Sequence, residues 1–200
     1  MNKILLCGAA QSAPVLSHRN YGRSFYRFTL CVLRLSGVYD CIPVVLPDTL
    51  CALVSENAML CVEGEVRSYN DREAVHNRLK VHVWAQSILP WQGEDRNTVC
   101  LQGTLCREAV YRRTPFGREI ADMMLRVPRE YAHTGVPRFD YLPCIAWGSV
   151  ARLCAELPEG AKLELSGRLQ SRPYIKVIDG VPGERIAYEI SASSVCAAPD

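Results

Sequence analysis

Short apolar stretches separated by turn residues run through the whole chain and predict β-strands rather than long helices. In the second half, five such strands are predicted at about 97–106, 119–128, 139–147, 161–170 and 185–194. A brief helix is expected after the third of them, starting beyond Gly148 with Ser149 as its N-terminal cap. The first half offers an equivalent helix capped by Asp48. The pattern therefore predicts an all-β protein with one short helix in each half.

The chain contains two copies of one sequence pattern. An apolar strand that runs into glycine occurs at 2–8 and again at 97–103. Two further pairs of segments keep the same order along the chain, 40–43 with 140–143 and 60–64 with 163–167. A repeat of this kind indicates one supersecondary unit used twice. Each unit takes about half of the chain.

The segment between the two copies is polar, and Pro90 and Gly93 interrupt any regular element there. We therefore place a linker at 91–96, between an N-terminal domain at 1–90 and a C-terminal domain at 97–196. Five strands with a helix between the third and the fourth are the plan of the OB-fold barrel. A β-sandwich with irregular connections shows many of the same strand signals and stays open as an alternative. The sequence thus predicts two tandem five-stranded OB-fold barrels.

Composition and motifs indicate a globular protein and narrow the function classes. Charged residues make up 22% of the chain and apolar residues 48%, as in ordinary globular domains. No window approaches the roughly 18 consecutive apolar residues of a membrane span, so we expect no membrane partner and a cytoplasmic protein. The sequence lacks the G-x-x-x-x-G-K-[ST], H-E-x-x-H and G-x-S-x-G motifs. It therefore predicts no enzyme activity and no cofactor.

Ten cysteines lie mostly in apolar, strand-like stretches, which predicts reduced core thiols rather than disulfides. Cys31, Cys41, Cys51 and Cys61 fall ten residues apart, but no C-x-x-C pair occurs. The spacing typical of a zinc site is missing, so we expect no bound metal.

The basic residues point to a nucleic acid more clearly than the net charge does. The formal net charge is only +2, yet 19 of the 23 basic residues are arginine. A guanidinium group can both fork onto a phosphate and stack on a base. A GC-rich genome produces the same bias, so composition alone leaves the partner open.

Four motifs of the second copy occur in a characteristic order, at 97–103, 114–117, 140–148 and 167–172. In this order and spacing they resemble the bacterial single-stranded DNA-binding protein family and its relative, primosomal replication protein N. The resemblance covers nearly all of 97–195 and, more faintly, 2–88. It implies a protein that binds and protects single-stranded DNA without strong sequence preference, in replication, recombination or repair, and that is therefore associated with the nucleoid.

The resemblance also implies a set of binding residues in the second copy. Aromatic rings stack on bases and arginines neutralise phosphates in such proteins. The residues expected in these two roles are Trp147, Tyr141, Tyr174, Arg112, Arg113, Arg118, Arg168 and Arg172. A tryptophan buried in the core and a merely solvated arginine surface are the alternatives for these positions.

The first copy departs from the family pattern where stacking is expected. Pro47 stands at the position of Trp147 and Cys41 at that of Tyr141, so the stacking surface of the first copy is predicted to be depleted. Secondary binding candidates there are Tyr21, Arg23, Tyr26, Arg67 and Tyr69. We expect the second barrel to dominate binding.

Family members gather four barrels around one strand, and a chain with two barrels reaches that number as a homodimer. Replication or primosome proteins are the expected further partners. The segment 196–200 does not resemble the acidic tail of typical members, which favours an accessory, mobile-element or primosomal role. Two alternatives stay open, a protein-interaction module that keeps only the fold and an RNA-binding protein.

Overall fold

A computed structural model describes residues 1–72, 78–129, 136–178 and 180–198. It confirms an all-β fold with one short helix in each half. The first half contains β1 (Asn2–Ala10), β2 (Val15–Asn20), β3 (Arg23–Leu33), β4 (Tyr39–Pro47), α1 (Asp48–Cys51), β5 (Met59–Asn70) and β6 (Leu79–Pro90). The second half contains β7 (Arg96–Leu105), β8 (Val110–Arg113), β9 (Glu119–Pro128), β10 (Phe139–Trp147), α2 (Gly148–Ala155), β11 (Lys162–Ile178) and β12 (Val181–Ala197).

Each half closes into a barrel of five strands. In the first half the ring runs β1-β3-β4-β6-β5 and closes because β1 pairs with both β3 and β5. The second half repeats this ring as β7-β9-β10-β12-β11. Within each ring the pair β4–β6 or β10–β12 is parallel. Each barrel is built from five strands, as the sequence predicts. The short strands β2 and β8 are additional and pair with β3 and β9.

The hairpin of β11 and β12 is longer than predicted. Its ladder continues without a break from Gly167 to Ile178 on β11, well past the predicted end of that strand at 170. Ile175 and Val177 explain the extension, because β-branched residues favour extended backbone. Tyr174 therefore lies within a strand, beyond the predicted end of that strand.

Both helices begin directly at the end of a strand. The N-cap positions belong to Pro47 for α1 and Trp147 for α2, and neither makes a side-chain capping hydrogen bond. The predicted caps are wrong for this reason. Asp48 is the first residue of α1, and Ser149 lies inside α2.

One face of every strand builds the core of its barrel. On β4 the side chains of Ile42, Val44 and Leu46 are fully buried, while the residues between them are only partly covered. Leucines and valines at alternate positions of the other strands complete this packing. The opposite faces of β3, β4, β9 and β10 are therefore free to present functional side chains.

Gly64 and Gly167 allow the sheets to curl into barrels. Each lies at a register shift, in β5 and in β11 respectively, which marks a β-bulge. A Cβ atom at Gly64 would stand 2.0 Å from the carbonyl oxygen of Trp84, and one at Gly167 would stand 2.2 Å from that of Ser191. Only glycine permits this close approach of two backbones.

Four of the ten cysteines are paired as disulfides, Cys7–Cys61 and Cys31–Cys41. The prediction of reduced thiols is wrong for these four residues. The members of each pair stand directly opposite each other on antiparallel strands, where side chains approach most closely. The other six cysteines are free. Burial raises the pKa of the Cys154 thiol to about 11, so this thiol stays protonated at neutral pH.

An antiparallel ladder between β1 and β7 joins the two barrels. It runs from Asn2 opposite Leu101 to Cys7 opposite Arg96, with Ile4 opposite Val99. Asn2 and Leu6 of the first copy correspond to Asn97 and Leu101 of the second, so the ladder has approximate two-fold symmetry. The twelve described strands form one continuous sheet as a result. The proposed domain division at 91–96 stays a prediction about independent folding.

Two equivalent polar clusters lock the barrels together on either side of this ladder. The fully buried carboxylate of Asp140 accepts hydrogen bonds from Arg129 Nε at 2.8 Å and from the backbone N–H of Ser68, in the other barrel, at 2.6 Å. Asp40 is buried in the same way. Its carboxylate accepts hydrogen bonds from Arg34 Nε at 2.7 Å and from the backbone N–H of Ser171, in the other barrel, at 2.7 Å. Each barrel therefore supplies a carboxylate that satisfies the backbone of the other.

Replacing Asp140 by asparagine tests this lock, because it keeps the side-chain shape but leaves the guanidinium of Arg129 without its counterion. We expect the free energy of unfolding to fall by about 3 kcal/mol, as for other broken buried ion pairs. Chemical denaturation followed by circular dichroism measures the change. The control is Glu94→Gln, which breaks an exposed pair with Arg96 and should cost about 1 kcal/mol or less. Equal losses for the two variants would contradict the role of Asp140.

Candidate nucleic-acid interface

Trp147 and Tyr141 lie on the outer face of β10, opposite the face that builds the core. Their side chains are 40% and 45% exposed, whereas Leu142, Cys144 and Ala146 between them are buried. Gly148 follows Trp147 with a φ of +58°, a left-handed conformation that glycine tolerates easily. The chain turns there into α2. The structure therefore excludes the alternative of a core tryptophan at this position.

An apolar floor lies between and beside these two rings. Ile145 occupies the same face of β10, between Tyr141 and Trp147, and it is almost fully buried. Ile120 on β9 stands directly opposite Trp147 and is equally buried. Flat rings next to a buried aliphatic floor form a surface that favours contact with another flat, apolar group.

Strands β11 and β12 continue this outer face and bring arginines to it. Arg168 is in line with Ile145, since Ser191 of β12 pairs with both of them. Arg172 lies on the same face of β11, and its guanidinium is 6.0 Å from the ring centroid of Tyr174. Three sequence candidates, Tyr174, Arg168 and Arg172, thus share one surface with the two rings of β10.

Acidic residues hold some of these arginines in place. Arg172 Nε donates to Glu189 at 3.0 Å, and this hydrogen bond raises the pKa of the arginine. Arg112 on β8 donates through Nε to Asp122 at 2.9 Å, across the β8–β9 pair. The two guanidinium groups are about half exposed, so the ion pairs position them without removing them from solvent. A phosphate can therefore still reach their remaining donors.

Arg168 differs, because part of it is buried without a partner. Its Nη2 donates to Gln170 at 3.2 Å, but its Nε is buried and has no hydrogen-bond partner among the described residues. A buried donor without a partner is costly, and an incoming acceptor would relieve that cost.

Two predicted arginines do not join this surface. Arg113 points to the other side of β8, where it pairs with Glu119 at 3.1 Å beside Arg152 of α2. Arg118 lies in the turn between β8 and β9, and its guanidinium has no partner among the described residues. It stands next to the tip of that hairpin rather than on the sheet.

The five secondary candidates of the first barrel are dispersed. Tyr21 is 89% exposed at the tip of the β2–β3 hairpin, with Arg23 beside it. Tyr26 is partly buried and packs against the core. Arg67 lies over the ring of Trp84, and Tyr69 meets His82 edge-on.

The sequence prediction missed three features, two on the second barrel and one on the first. Phe116 is 93% exposed at the β8–β9 tip, and the aromatic–Gly–Arg pattern shared by 21–23 and 116–118 is the signal that could have identified it. Arg126 was also missed. It stands opposite Tyr141 and over the ring of Phe139, at 4.8 Å. The third feature is an aromatic cluster around Trp84 on the first barrel.

No helix in the described part of the chain is long and apolar enough to cross a membrane. Within the same residues, no group of three or more histidine, cysteine, aspartate and glutamate side chains is arranged to hold a metal ion.

Comparison with known proteins agrees with this geometry. The model of the single-strand binding protein family matches residues 96–197. Over 102 residues, 50% of this chain, the sequence is 33% identical to a single-stranded DNA-binding protein of Halalkalibacterium halodurans and 32% identical to single-stranded DNA-binding protein A of Bacillus subtilis. The matched segment spans 58% and 57% of those two proteins.

Solved structures extend the likeness to both barrels. The wild-type single-stranded DNA binding protein from Thermus aquaticus superposes with a TM-score of 0.79, covering 100% of this chain and 94% of that one at 22% identity. A deletion mutant of the same protein gives a TM-score of 0.76. At this identity the likeness shows a shared fold. Because the family model matches just over half of the residues, the chain belongs to the single-strand binding protein family.

Proposed function

We propose that this chain binds and protects single-stranded DNA without strong sequence preference, in replication, recombination or repair. The observation that carries the proposal is the pair of exposed rings, Trp147 and Tyr141, on one strand face that also presents arginines. The two relatives described above are single-stranded DNA-binding proteins, which supports the same activity.

The proposed mechanism combines stacking and phosphate contacts. Bases lie on Trp147, Tyr141 and Tyr174, where any base can stack because every base has a π-face. Phosphates approach Arg112, Arg168 and Arg172, which the sheet holds on the same surface. Paired bases in a duplex cannot offer their faces to these rings, so the surface favours single strands. Binding in this way covers exposed bases and opposes reannealing.

Binding of a labelled oligo-dT, followed by fluorescence anisotropy, tests the activity. We expect saturable binding that an equally long duplex does not displace and that a Trp147→Ala substitution weakens by about 1–3 kcal/mol, the value of one base stacked on an aromatic ring. Trp91→Ala is the matched control, because Trp91 is similarly exposed but lies in the segment between β6 and β7, away from β10.

Several outcomes would count against the proposal. Displacement by duplex, or equal losses for the two tryptophan variants, would contradict stacking on Trp147. Tighter binding of oligo-rU than of oligo-dT would assign the surface to RNA instead. An absence of binding at low salt would favour a protein-interaction role.

The salt dependence of binding distinguishes arginines that contact phosphates from those that do not. We expect Arg112→Ala, which removes an arginine on the proposed surface, to make the plot of log affinity against log salt concentration shallower by about 0.7, the value for one phosphate contact on a single strand. Arg113→Ala is the control, because its ion pair with Glu119 directs it away from the interface. A larger effect of Arg113→Ala would show that the strand follows the α2 side of the barrel.

We propose in addition that two chains form a homodimer with four barrels. The distal part of the β11–β12 hairpin exposes Ile175, Val177 and Ile186 on the face opposite Tyr174, an unusual concentration of apolar surface. Light scattering should give twice the 22.3 kDa of one chain, and the double variant Ile175→Lys, Val177→Lys should give the mass of a single chain. A single-chain mass for the parent protein would disprove the dimer.

A further inference from the structure

Four flat side chains form a continuous row on the outer face of the first barrel. His18 of β2 stacks on Phe25 of β3, with 5.0 Å between ring centroids and 20° between planes. Phe25 lies 5.1 Å from the ring of Trp84 on β6, at a tilt of 47°. The guanidinium of Arg67 on β5 ends the row, 4.5 Å from the Trp84 ring centroid. We name these four residues the first-barrel stack.

We infer that the first-barrel stack is a separate site for single-stranded DNA, in which bases stack at Phe25 and Trp84. This inference rests on the proposed function and extends it to the half of the chain that the family model does not match. The sequence predicts a depleted surface there, because Pro47 replaces the ring found at Trp147. The structure supplies the aromatic surface from other strands.

The strand pairings of the two barrels show that the aromatic surface lies on different strands in the two halves. Val45 pairs with Trp84 in the first barrel as Ile145 pairs with Ser191 in the second. Trp84 therefore occupies the position of Ser191, one strand away from the position of Trp147. Both positions lie on the outer face, so a strand that follows this face meets a ring in either barrel.

His18 shows that the ring of Phe25 accepts a flat heteroaromatic partner. The imidazole of His18 already stacks nearly parallel on it, as a base would. All six residues of β2 are exposed, and this strand lies at the edge of the sheet. The contacts that hold His18 are therefore few, and an incoming base can take its place.

Charge on this face suits a phosphate backbone. Arg23 and Arg27 flank Phe25 on the same face of β3, and neither has a hydrogen-bond or ion-pair partner among the described residues. Arg27 pairs with Val45 as Asp122 pairs with Ile145, so an arginine stands here where the second barrel has a carboxylate. The buried carboxylate of Glu65 is already paired with Arg67. Two unpaired guanidinium groups beside a ring form the electrostatic environment that a single strand requires.

The chain contains three tryptophans, which allows each surface to be observed separately. Three variants each keep one of them, at Trp84, Trp91 or Trp147, and replace the other two with phenylalanine. Each is titrated with oligo-dT of roughly 30 nucleotides, long enough for two barrels at 4–16 nucleotides each. Tryptophan emission and anisotropy of the labelled strand are recorded together.

We expect strong quenching of the emission of Trp84 and of Trp147, and little change at Trp91. The midpoint of the quenching curve should agree with the midpoint of the anisotropy titration. Quenching of Trp147 without quenching of Trp84 would overturn the inference and leave the proposed function intact. Absence of binding by every variant and by the parent chain would instead reject the proposed function. Quenching at Trp84 alone would support the inference and assign the main site to the first barrel.

A substitution gives the second test. Phe25→Ala should weaken binding of the same oligomer about 5- to 150-fold, which corresponds to one stacked base. Tyr39→Ala is the matched control, since Tyr39 is an exposed ring on the outer face at the far end of β4 from Pro47. Circular dichroism confirms that both variants fold. Equal affinity of the Phe25→Ala variant and the parent chain would overturn the inference.

Discussion

The antiparallel ladder between β1 and β7 determines how every other part of the molecule is arranged. Its approximate two-fold symmetry places Ile4 opposite Val99 and makes one sheet of two barrels. The carboxylates of Asp40 and Asp140 then bond across the contact, each to the backbone of the other barrel. Because these bonds are buried, the relative orientation of the barrels is fixed by the same interactions that stabilise the fold. The outer faces of the two halves consequently keep a constant geometry.

The same scaffold carries two different surfaces. In the second barrel the rings lie on β10, and the carboxylates of Asp122 and Glu189 hold the neighbouring arginines in place. In the first barrel the rings come from β3 and β6, and Arg23 and Arg27 stand without partners among the described residues. The cores hardly differ, since one face of each strand is apolar in both halves. The two halves therefore differ mainly in the side chains that point away from the core.

The fold could be predicted well because strand periodicity and the repeat depend on local sequence. The rings Trp147 and Tyr141 could also be predicted, since period two places them on one side of β10. Arg113 could not be assigned, because its direction depends on Glu119 and α2, which a linear pattern does not reveal. The disulfides were misjudged for a related reason. Which face of a strand turns inward, and which cysteines stand opposite each other, depends on register between strands distant in the chain.

The covalent connection between the barrels has a consequence for how this protein can vary. In a symmetric pair of identical chains, each substitution appears on both subunits at once, so a change that harms one surface is unavoidable in the other. Here Pro47 and Trp147 occupy equivalent positions but are encoded separately. One surface can accumulate changes while the other is kept, and the clusters at Asp40 and Asp140 preserve the assembly throughout. Tandem duplication thus releases the two halves from the requirement to be alike.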